Sequence, residues 1–166
     1  MAGEGSRRPD YEALAHSLGV DHAVKFLGYV ADMRAFYASC DIVVLPSRSE
    51  GCPNVVLESM AMRRALVVSN AAGTQEVVTH EREGLIFPVG DVTAFAAAVR
   101  RLVEDPVLRA VLMNQGYLRV TSGYNARTRA RRLANVLRRS VARSVGPDNQ
   151  QDAILHRRRA QEVVLT

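Results

Sequence analysis

The chain has little of what stabilises small secreted proteins or anchors proteins in membranes. Its 166 residues include two cysteines, Cys40 and Cys52, and their spacing indicates neither a disulfide framework nor a zinc site. No apolar run approaches the roughly 18 residues that a transmembrane helix needs, and the N-terminus has no apolar signal-peptide core. We therefore expect reduced thiols in a cytoplasmic protein, soluble or at most peripheral at the inner membrane face.

Positive charge is concentrated near the C-terminus. The formal net charge is +5, and residues 126–143 contain seven arginines but no acidic residue. A helix predicted from about Asn125 to Arg143 would carry them, either as a solvated face or as a contact for an anionic membrane surface. Because Tyr124 is the only aromatic residue beside this stretch, we expect no nucleic-acid partner. We predict one domain over residues 1–145, followed by a polar tail over 146–166.

Strand-like and helix-like segments alternate along the chain, which predicts an α/β domain with a Rossmann-like, doubly wound parallel sheet. The continuous apolar run from Asp41 to Pro46 predicts a strand that is buried on both faces. Further strands are predicted at Ala65–Ser69 and at residues 85–87. Helices are predicted at residues 9–18, 32–38, 54–62, 75–78, 91–104 and 106–121.

The loop over residues 47–53 follows a predicted strand and precedes a predicted helix. Ligands of open parallel sheets bind beyond the carboxyl ends of the strands. Gly51 would let the backbone approach a ligand closely, and a helix with Asn54 as its N-cap would offer free amides to an anion. Glu50 and Glu58 can each accept hydroxyl hydrogen bonds. We hypothesise a diphosphate on the amides, a sugar hydroxyl on Glu50 and a ribose hydroxyl on Glu58.

The residues around this loop form a longer ordered pattern. Residues 46–61 read PSxxEGxPxVxLExMA, which resembles the donor-site signature of family 4 glycosyltransferases. Segments at 26–30, 70–76 and 83–91 also resemble this family, and the resemblance extends over about residues 1–140. It implies a retaining enzyme of the GT-B fold, in which two Rossmann-like domains face each other. This chain would be the C-terminal, donor-binding domain without its first strand.

The resemblance also implies roles for individual residues. Glu50 would contact the transferred sugar as the catalytic residue, and Glu58 would hold the ribose. It implies a nucleoside-diphosphate sugar as donor, no metal or other cofactor, and an N-terminal acceptor domain or partner chain. The other implied donor-binding residues are Ser47, Gly51, Cys52, Pro53, Asn54, Val55, Gly73 and Glu76.

Other interpretations of these residues stay open at this point. Glu50 and Glu58 can be solvated side chains of a loop and a helix, and Glu76 can cap its short helix. The chain can also be a non-catalytic nucleotide-sugar-binding module or a remnant of a larger protein. A GT-B-fold epimerase is disfavoured, because such enzymes tend to carry paired glutamates where Glu76 is followed by Val77.

Three positions depart from the family pattern, and one of them is Ala65, which stands where the family usually has a proline. Arg63 stands where the family usually has a glycine after the signature helix. A glycine there commonly adopts a left-handed conformation, which would cost an arginine about 1 kcal/mol. Ala72 replaces the first glycine of the turn before Glu76, and this change is expected to affect the sugar pocket.

Overall fold

A computed structural model describes residues 1–51, 53–124 and 134–135 of the chain. The chain divides into two compact units, Met1–Arg119 and Val120–Thr166. The sheet and the predicted site belong to the first unit. Nearly all of the predicted Arg-rich helix and the whole polar tail lie outside the described residues. Within the described part, none of the helices is both long enough and apolar enough to cross a bilayer.

Three parallel strands form the sheet in the described part of the chain, in the order β1-β2-β3. Val43 pairs with Leu66, and Val67 pairs with Leu85. The strands are β1 (Ile42–Leu45), β2 (Ala65–Ser69) and β3 (Leu85–Phe87). The predicted strands and their parallel arrangement are therefore confirmed.

The helices begin and end within a few residues of the predicted bounds. Asp32 and Asp91 are N-caps, and their carboxylates accept hydrogen bonds from the amides of Ala35 at 3.0 Å and Ala94 at 2.8 Å. The helices are α1 (Arg8–Ser17), α2 (Met33–Ala38), α3 (Asn54–Ala61), α4 (Thr74–Val77), α5 (Val92–Glu104) and α6 (Pro106–Gly123), with a short 3-10 turn at Asp21–Ala23.

The central strand β2 is covered on both faces, and all five of its residues are buried. Ala65 and Val67 pack in one cluster with Leu102 of α5 and Leu112 of α6. Side chains alternate along a strand, so Leu66 and Val68 lie on the opposite face. This is the face of α3, where Val56 and Met60 are fully buried. Helices thus cover both sides of the sheet, as a doubly wound fold requires.

The edge strand β1 differs from its prediction. Val43 is buried, but Val44 is 41% exposed, and Ile42 and Leu45 are only partly buried. Helix α5 packs over β2 and β3, so the side of β1 that carries Val44 is left partly open. The prediction that this strand is buried on both faces is wrong.

Arg63 follows α3 in the left-handed conformation predicted for that position, with φ of +52°. Its guanidinium lies 3.8 Å from the centroid of the Tyr117 ring. The same group donates a hydrogen bond of 3.2 Å to the Asn114 side-chain oxygen. These contacts with α6 offset the cost of the left-handed conformation, because cation–π pairs contribute about 0.5–2 kcal/mol.

We expect Arg63→Ala to lower the free energy of unfolding by about 1 kcal/mol, because it keeps the strained conformation and loses both contacts. Arg63→Gly loses the same contacts but relieves the strain, so it should be more stable than the alanine variant by about 1 kcal/mol. Urea unfolding followed by circular dichroism measures both variants. An alanine variant that matches the glycine variant would show that the backbone at residue 63 is not strained.

Candidate functional site

The predicted loop over residues 47–53 (the donor loop) and the predicted turn over residues 70–76 (the glycine turn) meet at the carboxyl ends of β1 and β2. The Glu50 amide donates a hydrogen bond of 3.2 Å to the carbonyl oxygen of Ala72. The buried Ser69 hydroxyl, at the end of β2, donates to the carbonyl oxygen of Ser47. The donor loop is therefore tied at Ser47 to the end of β2 and at Glu50 to the turn that follows it. Sequence reasoning missed Ser69, whose role depends on the pairing of two strands.

Gly73 is packed against the backbone of the donor loop. Its φ is +83°, and a Cβ atom at this position would lie 2.4 Å from the carbonyl oxygen of Glu50 and 2.9 Å from that of Gly51. Glycine is thus required twice, for the backbone conformation and for the close approach. The structure brings Glu50, Gly51 and Gly73 together.

Helix α3 begins differently from its prediction. Pro53, which is buried, occupies the N-cap position with φ of −75°, and its carbonyl oxygen accepts a hydrogen bond from Val56 N at 3.0 Å. Asn54 is the first residue of the helix, so the prediction that it caps the helix is wrong. The fixed φ of proline suits the entry to a helix and shifts Asn54 inward. Among the described residues no side chain caps α3, which leaves its first amides available to a ligand.

Glu58 lies on the exposed part of α3 and is bonded to a buried tyrosine. Its Oε2 atom accepts a hydrogen bond of 2.8 Å from the Tyr37 hydroxyl. Tyr37 is only 2% exposed, at the end of α2. Burial, and then the bond to Glu58, raise the pKa of the Tyr37 hydroxyl well above its ordinary value. Sequence reasoning missed this residue, because no motif connects the two helices.

The remaining predicted residues lie around this core of the site. Ser47 and Val55 are partly buried, while Glu76 is exposed on α4. The Glu76 carbonyl oxygen accepts a hydrogen bond of 3.0 Å from Arg119. Cys52 lies outside the described residues. The other cysteine, Cys40, is a free thiol and is partly buried.

Comparison with known proteins agrees with the sequence pattern. The family described as "Glycosyl transferases group 1" matches residues 1–105. The chain belongs to this family. Among curated relatives of this glycosyltransferase domain, the lipopolysaccharide core biosynthesis glycosyltransferases LpsE and LpsD of Rhizobium meliloti (strain 1021) are 35% and 34% identical to it. Each match covers 70% of this chain and 34% of the relative, so the glycosyltransferase domain spans about a third of these proteins.

Solved structures show the same fold. Anabaena HepE in complex with UDP superimposes with a TM-score of 0.76 at 25% identity, over 82% of this chain and 39% of HepE. Sucrose-phosphate synthase from Thermosynechococcus elongatus gives a TM-score of 0.76 at 28% identity, over 83% of this chain and 35% of the synthase. The glycosyltransferase domain therefore corresponds to one Rossmann-like domain of the GT-B fold. The resemblance stated from the sequence is confirmed.

We expect Gly73→Ala to destabilise the domain more than Gly90→Ala. Gly90 is a matched control, because its φ is +81° but no atom of the described residues lies within 4 Å of the position that an added Cβ would take. The control should cost about 1 kcal/mol for the left-handed conformation alone. Gly73→Ala should cost a further 1–3 kcal/mol, roughly, because the donor loop must move. Urea unfolding compares the two, and equal losses would contradict the close approach.

Proposed function

We propose that this domain binds the nucleoside-diphosphate part of a sugar donor at the carboxyl ends of β1 and β2. It would act as the donor domain of a retaining glycosyltransferase that transfers a hexose-type sugar to a glycan, lipid or small-molecule acceptor. Two observations together carry the proposal: Glu58 on α3 is hydrogen-bonded to Tyr37, and Gly73 lies against the backbone of Glu50. Support comes from HepE, whose structures contain UDP and UDP-glucose.

The diphosphate would bind at the start of α3. The uncapped amides of Asn54 and Val55 lie there, at the positive end of the helix dipole. Pro53 contributes shape but no N–H group. Because the helix end and basic side chains would balance the phosphate charge, we expect no metal ion or other cofactor in the reaction.

The sugar would lie against Glu50 and the Gly73 turn. A carboxylate at Glu50 can accept sugar hydroxyls and stabilise positive charge that develops on an oxocarbenium-like sugar. Glu76, exposed on the adjacent α4, would supply a second polar contact to the sugar. The mechanism would be one of positioning and electrostatic stabilisation.

The acceptor would be bound by an N-terminal domain or a partner chain. The domain covers 34% of LpsE, so the rest of such an enzyme is available for this role. The lipopolysaccharide relatives favour a glycan or lipid-linked acceptor, used in the cytoplasm or at the membrane surface. The Arg-rich segment at 126–143 would suit such an anionic surface.

The test is calorimetric titration of the full chain with UDP, GDP and ADP and with their glucose conjugates. We expect one nucleotide series to bind. Glu58→Ala should weaken that binding at least about tenfold, because it removes hydrogen bonds to a charged group. Glu104→Ala, which removes an exposed glutamate at the end of α5, is the matched control and should bind like the wild type.

Two results would contradict the proposed function. A folded wild-type chain that binds none of the nucleotides would show that the start of α3 is not a donor site. Equal affinities of the wild type and Glu58→Ala for the nucleotide that binds would remove Glu58 from the site. Thermal unfolding of each variant confirms that the chain is folded in every titration.

A further inference from the structure

The hydrogen bond between Tyr37 and Glu58 joins a buried side chain to an exposed one. Glu58 lies on the surface of α3, whereas Tyr37 is 2% exposed. We infer that Tyr37 is a positioning residue, which holds the Glu58 carboxylate in the orientation that accepts the two ribose hydroxyls of the donor. This inference rests on the proposed function, in which Glu58 binds the ribose.

The bond leaves most of the carboxylate free for a ligand. Tyr37 donates to Oε2 at 2.8 Å and so occupies one acceptor position of a group that has about four. Because Tyr37 is buried and Glu58 is exposed, the bond reaches the carboxylate from the protein side. Oε1 and the outer part of Oε2 remain for a pair of neighbouring hydroxyls, such as those of a ribose.

Tyr37 itself is fixed in place by its surroundings. The carbonyl oxygen of Tyr37 accepts a hydrogen bond of 3.1 Å from Cys40 N, and the Cys40 carbonyl oxygen accepts one of 3.0 Å from Arg64. Arg64 N in turn donates to the carbonyl oxygen of Ser59, beside Glu58, at 2.8 Å. The ends of α2 and α3 are thereby tied together, so Tyr37 and Glu58 are held at a fixed separation.

A fixed carboxylate binds a ligand better than a mobile one. A long, exposed side chain loses rotamer freedom when it binds, and this loss reduces affinity. The hydrogen bond to Tyr37 restricts the rotamers of Glu58 before the sugar donor binds. Tyrosine also suits this role electrostatically, because it is a neutral donor and leaves the negative charge of Glu58 to the ribose. A tyrosine hydroxyl is already protonated at neutral pH, and burial raises the pKa of the Tyr37 hydroxyl further.

Titration of Tyr37→Phe with two nucleotides tests the inference. The probes are UDP, or the diphosphate that the wild type binds, and its 2′,3′-dideoxy analogue, which lacks both ribose hydroxyls. We expect Tyr37→Phe to weaken binding of the ribonucleotide about 5- to 20-fold, the range of a single charge-assisted hydrogen bond. Binding of the dideoxy analogue should change less than about twofold, because this analogue has no ribose hydroxyls to donate to Glu58. Tyr11→Phe, on the half-exposed Tyr11 of α1, is the control and should change neither affinity.

The outcomes separate this inference from the proposed function. If Glu58→Ala weakens binding but Tyr37→Phe leaves both affinities unchanged, the positioning role is wrong and the proposed function stands. If Tyr37→Phe weakens both nucleotides equally, the residue acts only through the fold, and the inference is again overturned. If the wild type binds no nucleotide, the proposed function falls, and the inference falls with it.

A crystal structure of the wild-type chain with the bound diphosphate gives a second test, which does not depend on the folding of a variant. We expect Glu58 to contact the ribose while the Tyr37 hydroxyl stays within hydrogen-bond distance of Oε2. A ribose held by Glu58 while Tyr37 bonds to another group would overturn the inference.

Discussion

The close approach of Gly73 to the Glu50 carbonyl is the constraint on which the geometry of the site depends. A Cβ atom at residue 73 would lie 2.4 Å from that oxygen. Only glycine, which has no Cβ atom, therefore lets the turn after β2 approach the loop this closely. The approach is possible because β1 and β2 are parallel neighbours, so their carboxyl ends release both loops at the same edge. The bond from Glu50 N to Ala72 O then fixes the loop beside the turn. The glutamate proposed as catalytic, Glu50, thus gains its position from backbone contacts.

The part of the site formed by Glu58 and the start of α3 depends on how this helix packs. Its buried and exposed faces have different roles. Val56 and Met60 are fully buried, and α3 packs on β1 and β2, so burial of this face holds the helix in place. The exposed face carries Glu58, and the uncapped start of the helix faces a diphosphate in the proposed function. After the other end of the helix, Arg63 adopts a left-handed conformation, and its contact with the Tyr117 ring on α6 offsets the conformational strain. The helix is therefore held by contacts at its end and on its buried face, while no described side chain caps its start.

The features that sequence reasoning predicted correctly are those with local signals. The apolar runs of the three strands and the caps at Asp32 and Asp91 depend on neighbouring residues only. The errors at Val44 and Asn54 arise where packing or a proline decides the outcome. Helix α5 packs over β2 and β3, which no property of the run from Asp41 to Pro46 indicates. Tyr37 was missed because its bond to Glu58 joins residues 21 positions apart, and a single sequence carries no signal for such a contact.

The replacement of a glycine by Ala72 introduces no backbone strain into the turn before Glu76. Among the described residues only Arg63 and Glu81 combine a side chain with a positive φ, so the backbone at Ala72 is one that alanine adopts without strain. Its contribution to the loop is its carbonyl oxygen, which any residue supplies. Residue 72 is exposed, whereas a side chain at residue 73 would meet the donor loop. Of the two positions in this turn, only the second requires glycine, and any effect of Ala72 on a donor must come from its methyl group.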